Sequence, residues 1–390
     1  MDFNNTKLAF SYKSNSDLKN AYLLFSAINR PWLVNSLSAL ANLALKTGLP
    51  LWLVAKPTFY RQFVGGEHLN DCERVIDHLR TFNVHSVLDY SAEGGIDDIQ
   101  ADDTFREILK SIDFAAGKSY IPYTVFKPSS LIVSSVLHKY AQNPDTLTPI
   151  EVLSVQLFEE RFMALCQRAF EREVRIMIDA EHYATQDVID RITEQAMEVY
   201  NSNRAVLFHT LQMYRHDRLD YLQNLHRKAR KAGYILGIKF VRGAYMQQER
   251  ELAALNGYPD PINRDKEATD NCYNNGLVYV MDNIDSFELF SGTHNYESNY
   301  LLANLIDQKG LKRNDKRIYF SQLYGMSDNI SFVLASEGYN VCKYVPYAPV
   351  RKVLPYLMRR AQENSSIAGQ SSRELQLIKK EIKRRRSNCP

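Results

Sequence analysis

The 390-residue sequence has few cysteines and no long apolar run, and both absences narrow what the chain can be. Its five cysteines are widely spaced without a Cys-x-x-Cys pair, so neither a disulfide framework nor a zinc site is expected. The 16 glycines and 13 prolines exclude collagen-like and low-complexity classes. The apolar stretch from Pro31 to Ala55 is broken by Lys46, and no uncharged piece reaches the ~20 residues of a membrane-spanning helix. We therefore expect a globular protein from a reducing compartment, with no metal site and no transmembrane segment.

Several well-known catalytic and nucleotide-binding motifs are also missing. The sequence contains no G-x-G-x-x-G, no G-x-S-x-G and no H-E-x-x-H. The sequence therefore does not predict a dinucleotide site with that fingerprint, a serine nucleophile elbow or a zinc protease helix.

The two ends of the chain differ in charge. The first 20 residues mix acidic and basic side chains before any apolar run, unlike a secretory signal or a transit peptide, so export is not expected. Residues 373–390 carry seven Lys or Arg against two Glu, in a chain whose net charge is only +3. Such a run is typical of a solvated helix end, and contact with an anionic membrane surface is the functional alternative. No aromatic residues interleave with these charges, so no nucleic-acid partner is expected.

The pattern of apolar residues changes near residue 80. Before it, apolar residues recur at helical spacing. After it, short runs rich in β-branched and aromatic residues alternate with longer amphipathic stretches, which is typical of βα units. Eight such runs are predicted as strands: Val84–Tyr90, Tyr120–Phe126, Val174–Ile178, Ala205–Phe208, Tyr234–Val241, Phe287–Gly292, Arg317–Gln322 and Asn340–Tyr344.

Eight strands separated by helices over about 280 residues fit a (β/α)₈ barrel of the TIM type better than an open doubly wound sheet. The sequence therefore predicts an α/β fold with three parts. These are an N-terminal helical region over residues 1–80, a barrel domain over residues 81–370 and a basic C-terminal tail over residues 371–390.

Polar residues gather where the predicted strands end. In such barrels the active site is built at the carboxyl ends of the strands. The residues found there are Asp89, Lys127, Asp179 with Ala180 and Glu181, Gln212, Lys239 with Arg242, Thr293 with His294 and Asn295, Gln322, and Tyr344. One polar strand end needs no functional explanation, but eight together predict an active site at this end of the barrel.

The turn after the fifth strand combines positive charge with small residues. Lys239 and Arg242 precede the step Gly243-Ala244. Backbone amides exposed beside a glycine, together with fixed positive charge, form an anion seat of the kind that phosphates use. A plain turn is the alternative at this point.

Two adjacent arginines lie in a predicted helix from Pro355 to Asn364, with Pro355 in its first turn. Arg359 and Arg360 precede Glu363 by four and three residues, so the carboxylate can hold both guanidinium groups. The segment is either an exposed salt-bridged face or a clamp for a carboxylate, because guanidinium forks match carboxylates bidentately.

Six motifs, in this order along the chain, together resemble the proline dehydrogenase family: Ile178–Glu181, Val241–Tyr245, Thr293–Asn295, Gln322–Met326, Tyr344–Tyr347 and Tyr356–Asn364. The resemblance implies an FAD-dependent enzyme on a distorted (β/α)₈ barrel with an N-terminal helical extension. It implies oxidation of L-proline to Δ¹-pyrroline-5-carboxylate, with electrons passed to a membrane quinone. Since a quinone lies in the bilayer, we expect a cytoplasmic protein with peripheral contact on the inner face of the cell membrane.

The resemblance also implies roles for individual residues. Those implied for FAD are Ala180, Gln212, Lys239, Arg242, Gly243, Ala244, Thr293 and His294. Those implied for the substrate are Lys127, Leu323, Tyr344, Arg359, Arg360 and Glu363. Catalytic roles fall to Asp179, Lys239 and Tyr344, and we expect the role of Asp179 to be electrostatic. Many relatives have Arg where this chain has Lys239. A bidentate guanidinium contact is thereby replaced in this chain by the point charge of an ammonium group.

Two alternatives stay open. The first keeps the flavin but takes hydroxyproline or another cyclic imino acid. The bulky phenol of Tyr344 argues against it, because a 4-hydroxyl group should collide with that ring. The second is a non-catalytic barrel that binds an anion.

Overall fold

The computed structural model describes residues 1–30, 32, 59–92, 98–366 and 370–387, with side chains except at 98, 361–366 and 370–372. Most of the apolar stretch from Pro31 to Ala55 therefore lies outside the described residues, as does the tail beyond Ser387. The eight strands are β1 Val84–Tyr90, β2 Tyr123–Phe126, β3 Arg175–Ile178, β4 Leu207–Gln212, β5 Leu236–Val241, β6 Phe287–Gly292, β7 Ile318–Leu323 and β8 Val341–Tyr347.

The helices numbered here are α1 Thr6–Ala9, α2 Asn15–Ile28, α3 Arg61–Phe63, α4 Leu69–Arg80, α5 Asp98–Ala115, α6 Ser134–Gln142, α7 Pro149–Glu171, α8 Tyr183–Tyr200, α9 Arg218–Ala232, α10 Met246–Asn256, α11 Lys266–Asp282, α12 Tyr296–Gln308, α13 Asp328–Ser336, α14 Val350–Ser366 and α15 Gln370–Ser387. The strands form a closed parallel barrel in chain order, from β1 to β8. The predicted (β/α)₈ barrel is confirmed, with helices in the described part of the N-terminal region.

Six of the eight strands differ from the prediction at one or both ends, and three of these differences have a clear physical cause. β2 begins at Tyr123 rather than Tyr120, because Pro122 has no N–H to donate to a ladder. β4 continues beyond Phe208 to Gln212, since its polar His209 is fully buried and lies 3.0 Å from the carboxylate of Asp190. β8 runs past its predicted end and includes Pro346, whose carbonyl accepts a 2.8 Å hydrogen bond from the Gly65 N–H.

The chain divides into two compact units, one formed by residues 1–94 and 322–390 and the other by residues 95–321. The domain boundaries proposed from the sequence, at residues 80 and 370, stay a prediction. The former set is called the first unit and the latter set the second unit.

The interior of the second unit is built on aromatic rings. Tyr123 packs edge to face against Phe208, Phe290 and Tyr319, with ring centroids 4.9 to 5.2 Å apart. Because side chains alternate along a strand, Thr210 and Gln212 share the face of β4 that carries Phe208. The aromatic layer therefore lies at the amino ends of these strands, and the polar side chains lie nearer their carboxyl ends.

In the first unit the N-terminal and C-terminal helices pack together. α2 begins with a capping box in which Ser14 and Asp17 bond each other's backbone, and it buries Phe25. The buried Leu377 and Ile378 of α15 belong to the same apolar cluster. The basic tail thus contains a helix with one buried face.

The predicted start of the arginine helix is wrong. α14 begins at Val350, which places Pro355 inside the helix and not in its first turn. The bonds from Lys352 and Val353 N–H to the carbonyl of Pro349 begin the helix five residues before Pro355. Pro355 itself donates no backbone bond, so the helix continues with one ladder position missing.

None of the helices in the described ranges combines the length and the apolarity that crossing a bilayer requires. Within those same residues, no set of three or more His, Cys, Asp or Glu side chains is grouped to hold a metal ion.

Candidate active site

Three ionised side chains of the second unit meet at the carboxyl ends of β2, β3 and β5. The β2–β3 register pairs Phe126 with Ile178, so Lys127 and Asp179 follow as neighbours. Oδ1 of Asp179 lies 2.6 Å from Nζ of Lys239, and Oδ2 lies 3.9 Å from Nζ of Lys127. The exposed fractions of the three side chains are 16% for Asp179, 7% for Lys239 and 19% for Lys127. We call these three residues the lysine–aspartate cluster.

The cluster has an excess of positive charge. Within these three residues one carboxylate faces two ammonium groups in a poorly hydrated place, and the buried Glu181 lies near enough to interact with Lys127. Coulomb interactions are stronger there than in water, so an anionic group would be attracted. The cluster can therefore hold an anion while Asp179 orients Lys239 by a hydrogen bond and attracts Lys127 over a longer distance.

A second group of polar residues surrounds Arg242 at the end of β5. Its Nε donates to Oδ1 of Asp270 at 2.8 Å, its Nη1 to Oγ1 of Thr293 at 2.6 Å and its Nη2 to Oγ of Ser298 at 2.9 Å. The guanidinium also lies 4.5 Å from the ring centroid of Tyr273. These contacts fix Arg242 by partners on α11 and α12 and by Thr293, which directly follows β6.

The neighbours of Asp270 lower the pKa of its carboxyl group. Burial tends to raise its pKa, but the hydrogen bond from Lys266 and the charge of Arg242 outweigh burial and lower it. Asp270 is thus held as a carboxylate that can retain Arg242 at its position.

The turn after Arg242 needs a glycine. Gly243 has a φ of +131°, and a Cβ placed there would lie 2.4 Å from ring atoms of Tyr214. Gly243 and Ala244 are exposed, which leaves the backbone of this turn open to a ligand. Close approach of a phosphate to backbone is what such a turn permits.

The remaining cofactor candidates also lie at strand ends of the second unit. Thr293 accepts hydrogen bonds from Arg242 and from the Asn295 N–H, and His294 is half-buried beside it. Ala180 is half-buried after β3, and Gln212 is buried at the end of β4.

Thr210 was missed by the sequence interpretation. Its Oγ1 is buried, and among the described residues this atom has no hydrogen-bond partner. Thr210 stands in register with Lys239 on the neighbouring strand. The period of two that separates it from Phe208 and Gln212 is the signal that could have identified it.

The substrate candidates of the first unit lie on β7, β8 and α14. Tyr344 is buried, and its carbonyl accepts a 2.9 Å hydrogen bond from the Tyr324 N–H just after Leu323. Arg359 and Arg360 are half-buried, and the Arg360 guanidinium lies 5.2 Å from the ring centroid of Tyr356. The side chain of Glu363 lies outside the described part of the structure.

Comparison with known proteins now gives the family. The profile of the proline dehydrogenase family matches residues 72–373. The carbapenem antibiotics biosynthesis protein CarD of Pectobacterium carotovorum subsp. carotovorum is 34% identical over 326 residues, which cover 83% of this chain and 83% of that protein. Proline dehydrogenase 1, mitochondrial, of Arabidopsis thaliana is 29% identical over 434 residues, which cover 99% of this chain and 86% of that protein.

Among solved structures, proline utilization A (PutA) from Bdellovibrio bacteriovorus, inactivated by N-propargylglycine, matches with a TM-score of 0.72 at 18% identity. The match covers 93% of this chain but only 38% of that larger protein, and it shows the shared barrel fold. The family profile spans most of the sequence. The chain therefore belongs to the proline dehydrogenase family, as an oxidoreductase that acts on proline.

Proposed function

We propose that this protein oxidises L-proline to Δ¹-pyrroline-5-carboxylate, uses FAD as its cofactor and passes the electrons to a membrane quinone. The observation that carries the proposal is the lysine–aspartate cluster at the carboxyl ends of barrel strands in a chain of this family. Proline oxidation needs a hydride acceptor. FAD supplies that chemistry when it is bound, by accepting the hydride from the carbon next to the ring nitrogen.

The residues present fit a large anionic cofactor. Arg242 and the open turn at Gly243 and Ala244 suit a pyrophosphate, because a fixed cation lies beside accessible backbone. The buried Oγ1 of Thr210, in register with Lys239, offers a hydrogen-bonding group toward a polar ring system. On this basis we assign eight residues to the binding of FAD: Ala180, Gln212, Lys239, Arg242, Gly243, Ala244, Thr293 and His294.

The substrate carboxylate is assigned to Arg359 and Arg360. Two adjacent guanidinium forks can bind one carboxylate bidentately, and they lose less rotational freedom per bond than lysines do. Lys127 adds positive charge, and Glu363 is assigned to orient the arginines. Tyr344 and Leu323 are assigned to the ring of the substrate, where bulk and lack of charge suit a saturated pyrrolidine.

Asp179 is assigned an electrostatic role. It holds the ammonium group of Lys239 at hydrogen-bond distance and attracts that of Lys127. Without this carboxylate the two buried cations would repel each other and any developing positive charge on the substrate nitrogen. Holding the substrate at near-attack distance then makes the transfer effectively intramolecular.

The proposed acceptor lies in a membrane, and α15 supports contact with one. Its Lys379, Lys383 and Arg386 are exposed, whereas its Arg384 and Arg385 pair with the buried Glu381. Exposed cations attract anionic headgroups by about 1 kcal/mol each. Flotation with anionic vesicles should recover the parent protein, and a Lys383→Glu, Arg386→Glu variant should float less. Equal recovery of both would argue against this part of the proposal.

Turnover tests the activity directly. Purified protein containing FAD is mixed with L-proline and a soluble quinone, and the cyclic imine is measured by mass spectrometry. We expect one imine formed per quinone reduced. An FAD-loaded protein that forms no imine would refute the proposal, and a preference for trans-4-hydroxyproline would favour the alternative substrate.

A further inference from the structure

A buried carboxylate next to the lysine–aspartate cluster has no role in the proposed reaction. Glu181 is 6% exposed. Its Oε2 accepts a 2.6 Å hydrogen bond from the Ser129 N–H, and its Oε1 accepts a second hydrogen bond from the Ser129 hydroxyl. One serine therefore occupies both oxygens of a carboxylate removed from water, and such charge-assisted bonds are among the stronger ones in proteins.

The position of this contact follows from strand register. Phe126 of β2 pairs with Ile178 of β3. One residue further along both chains lie Lys127 and Asp179, and three residues further lie Ser129 and Glu181. The ion pair and the hydrogen-bonded pair are thus successive links between the same two chain segments, beyond the ends of β2 and β3.

The backbone around Lys127 is held on its other side as well. Its carbonyl accepts hydrogen bonds from Ser130 N–H at 2.9 Å and from Ser130 Oγ at 2.6 Å. A short 3₁₀ turn, Pro128–Leu131, follows at once. The segment that carries Lys127 is therefore a short turn that Ser129 attaches to the segment after β3.

Glu181 is itself anchored to helices α8 and α9. Its N–H donates to Oε1 of Gln186 at 2.8 Å, and Nε2 of Gln186 donates to Oδ1 of Asp190 at 2.7 Å. Asp190 pairs with Arg218 at 2.7 Å. Burial raises the pKa of Glu181, while the Ser129 bonds and the charge of Lys127 act in the opposite direction. The contact thus connects the segment that carries Lys127 to a fixed hydrogen-bond network.

We propose that Glu181 is a positioning residue that, through Ser129, holds the ammonium group of Lys127 beside Asp179. The proposal rests on the role of Lys127 toward the substrate carboxylate in the proposed function. Lysine has a flexible stem, and the 3.9 Å between Nζ of Lys127 and Asp179 is too long for a hydrogen bond. The position of the backbone therefore contributes to where the charge lies.

Steady-state kinetics tests the positioning role. Ser129→Ala should raise the KM for L-proline by about fivefold and leave kcat and flavin content nearly unchanged, because only orientation of a binding group is lost. Glu181→Gln should act in the same direction, and Ser129→Thr should retain most of the parent KM. Ser202→Ala, at an exposed serine of the same unit, is the matched control.

A double-variant cycle separates positioning from a general structural effect. Lys127→Ala should raise KM, and adding Ser129→Ala to it should produce no further rise, because the group being positioned is gone. Independent, multiplicative effects of the two changes would overturn the proposal. A fall in kcat without any change in KM would overturn it as well.

A measurement without substrate keeps this proposal distinct from the proposed activity. Amine acetylation followed by mass spectrometry gives the labelling rate of Lys127 in the resting protein. We expect Ser129→Ala to label Lys127 about threefold faster, with the exposed Lys110 as the unchanged internal reference. Equal labelling of Lys127 would overturn the positioning role even if proline is oxidised. Faster labelling in a protein that does not oxidise proline would retain the positioning role and refute the proposed function.

Discussion

Oδ1 of Asp179 and Nζ of Lys239 are 2.6 Å apart, at the carboxyl ends of β3 and β5, which flank β4 in the barrel. Both side chains are largely shielded from water. Removing either charge would therefore leave the other unpaired in a poorly hydrated place, which is energetically costly. This pair makes the strand ends of the second unit a fixed electrostatic environment.

Replacing Asp179 by Asn tests that environment. The change leaves Lys239 buried without its counter-charge, so we expect kcat to fall at least about tenfold and the free energy of unfolding to fall by about 3 kcal/mol. Proline turnover and urea unfolding measure the two effects. Asp187→Asn, at an exposed aspartate of α8, is the control. An unchanged kcat would show that the pair has no part in catalysis.

Lysine substitutions at Arg359 and Arg360 test the carboxylate clamp. Each keeps the charge but loses the planar fork, so we expect KM for proline to rise about tenfold while the flavin stays bound. Arg351→Lys, at an exposed arginine of the same helix, is the comparison. If the two lysine variants match the parent in KM, the clamp is wrong and the arginines form only a salt-bridged face.

Tyr344→Ser tests substrate choice. Tyr344 is buried, and in the proposed site its phenol would lie against the substrate ring and leave little room for a hydroxyl group there. Removing it should raise the ratio of kcat/KM for trans-4-hydroxyproline to kcat/KM for proline by about tenfold or more. Tyr344→Phe should keep the parent ratio because the bulk remains. The opposite ranking of Ser and Phe would contradict the assignment.

Glu374 on α15 gives a pH-dependent prediction for the first unit. Burial and the charge of Asp328 raise its pKa to about 7, against the opposing charges of Lys343 and Lys13. Between about pH 4.5 and about pH 7 the folded state then binds more protons than the unfolded state. Protonated Glu374 therefore contributes to the free energy of unfolding at low pH, and this contribution is lost as the pH rises.

Glu374→Gln removes this titration. Urea unfolding of both proteins at the two ends of that window should show the parent losing about 3 kcal/mol more than the variant as the pH rises. Parallel pH profiles of the two proteins would contradict the raised pKa.

Much of the barrel can be predicted from the sequence because buried parallel strands concentrate β-branched and aromatic residues. The prediction of β4 stopped short because the strand itself contains His209 and Thr210. A polar residue in a strand becomes acceptable only when a partner such as Asp190 arrives from another element, which local patterning does not reveal.

The candidate site, like the fold, could be predicted only in part from the sequence. Strand ends identify Lys127, Asp179 and Lys239 from the sequence, because chain order fixes which ends of parallel strands meet. The contacts that hold them come from residues far along the chain. Asp270 holds Arg242 across 28 residues, and Glu181 binds Ser129 across 52 residues. The first pairing depends on how α11 packs and the second on the register of β2 against β3, and the sequence gives no local signal for either.

The central claim is that this protein transfers electrons from proline to a flavin that it binds. The most direct measurement is the visible absorption spectrum of the purified, FAD-loaded protein, recorded without oxygen before and after L-proline is added. The account predicts that proline bleaches the flavin absorption and that D-proline leaves it far less changed. A flavin that stays oxidised at saturating L-proline would contradict the account.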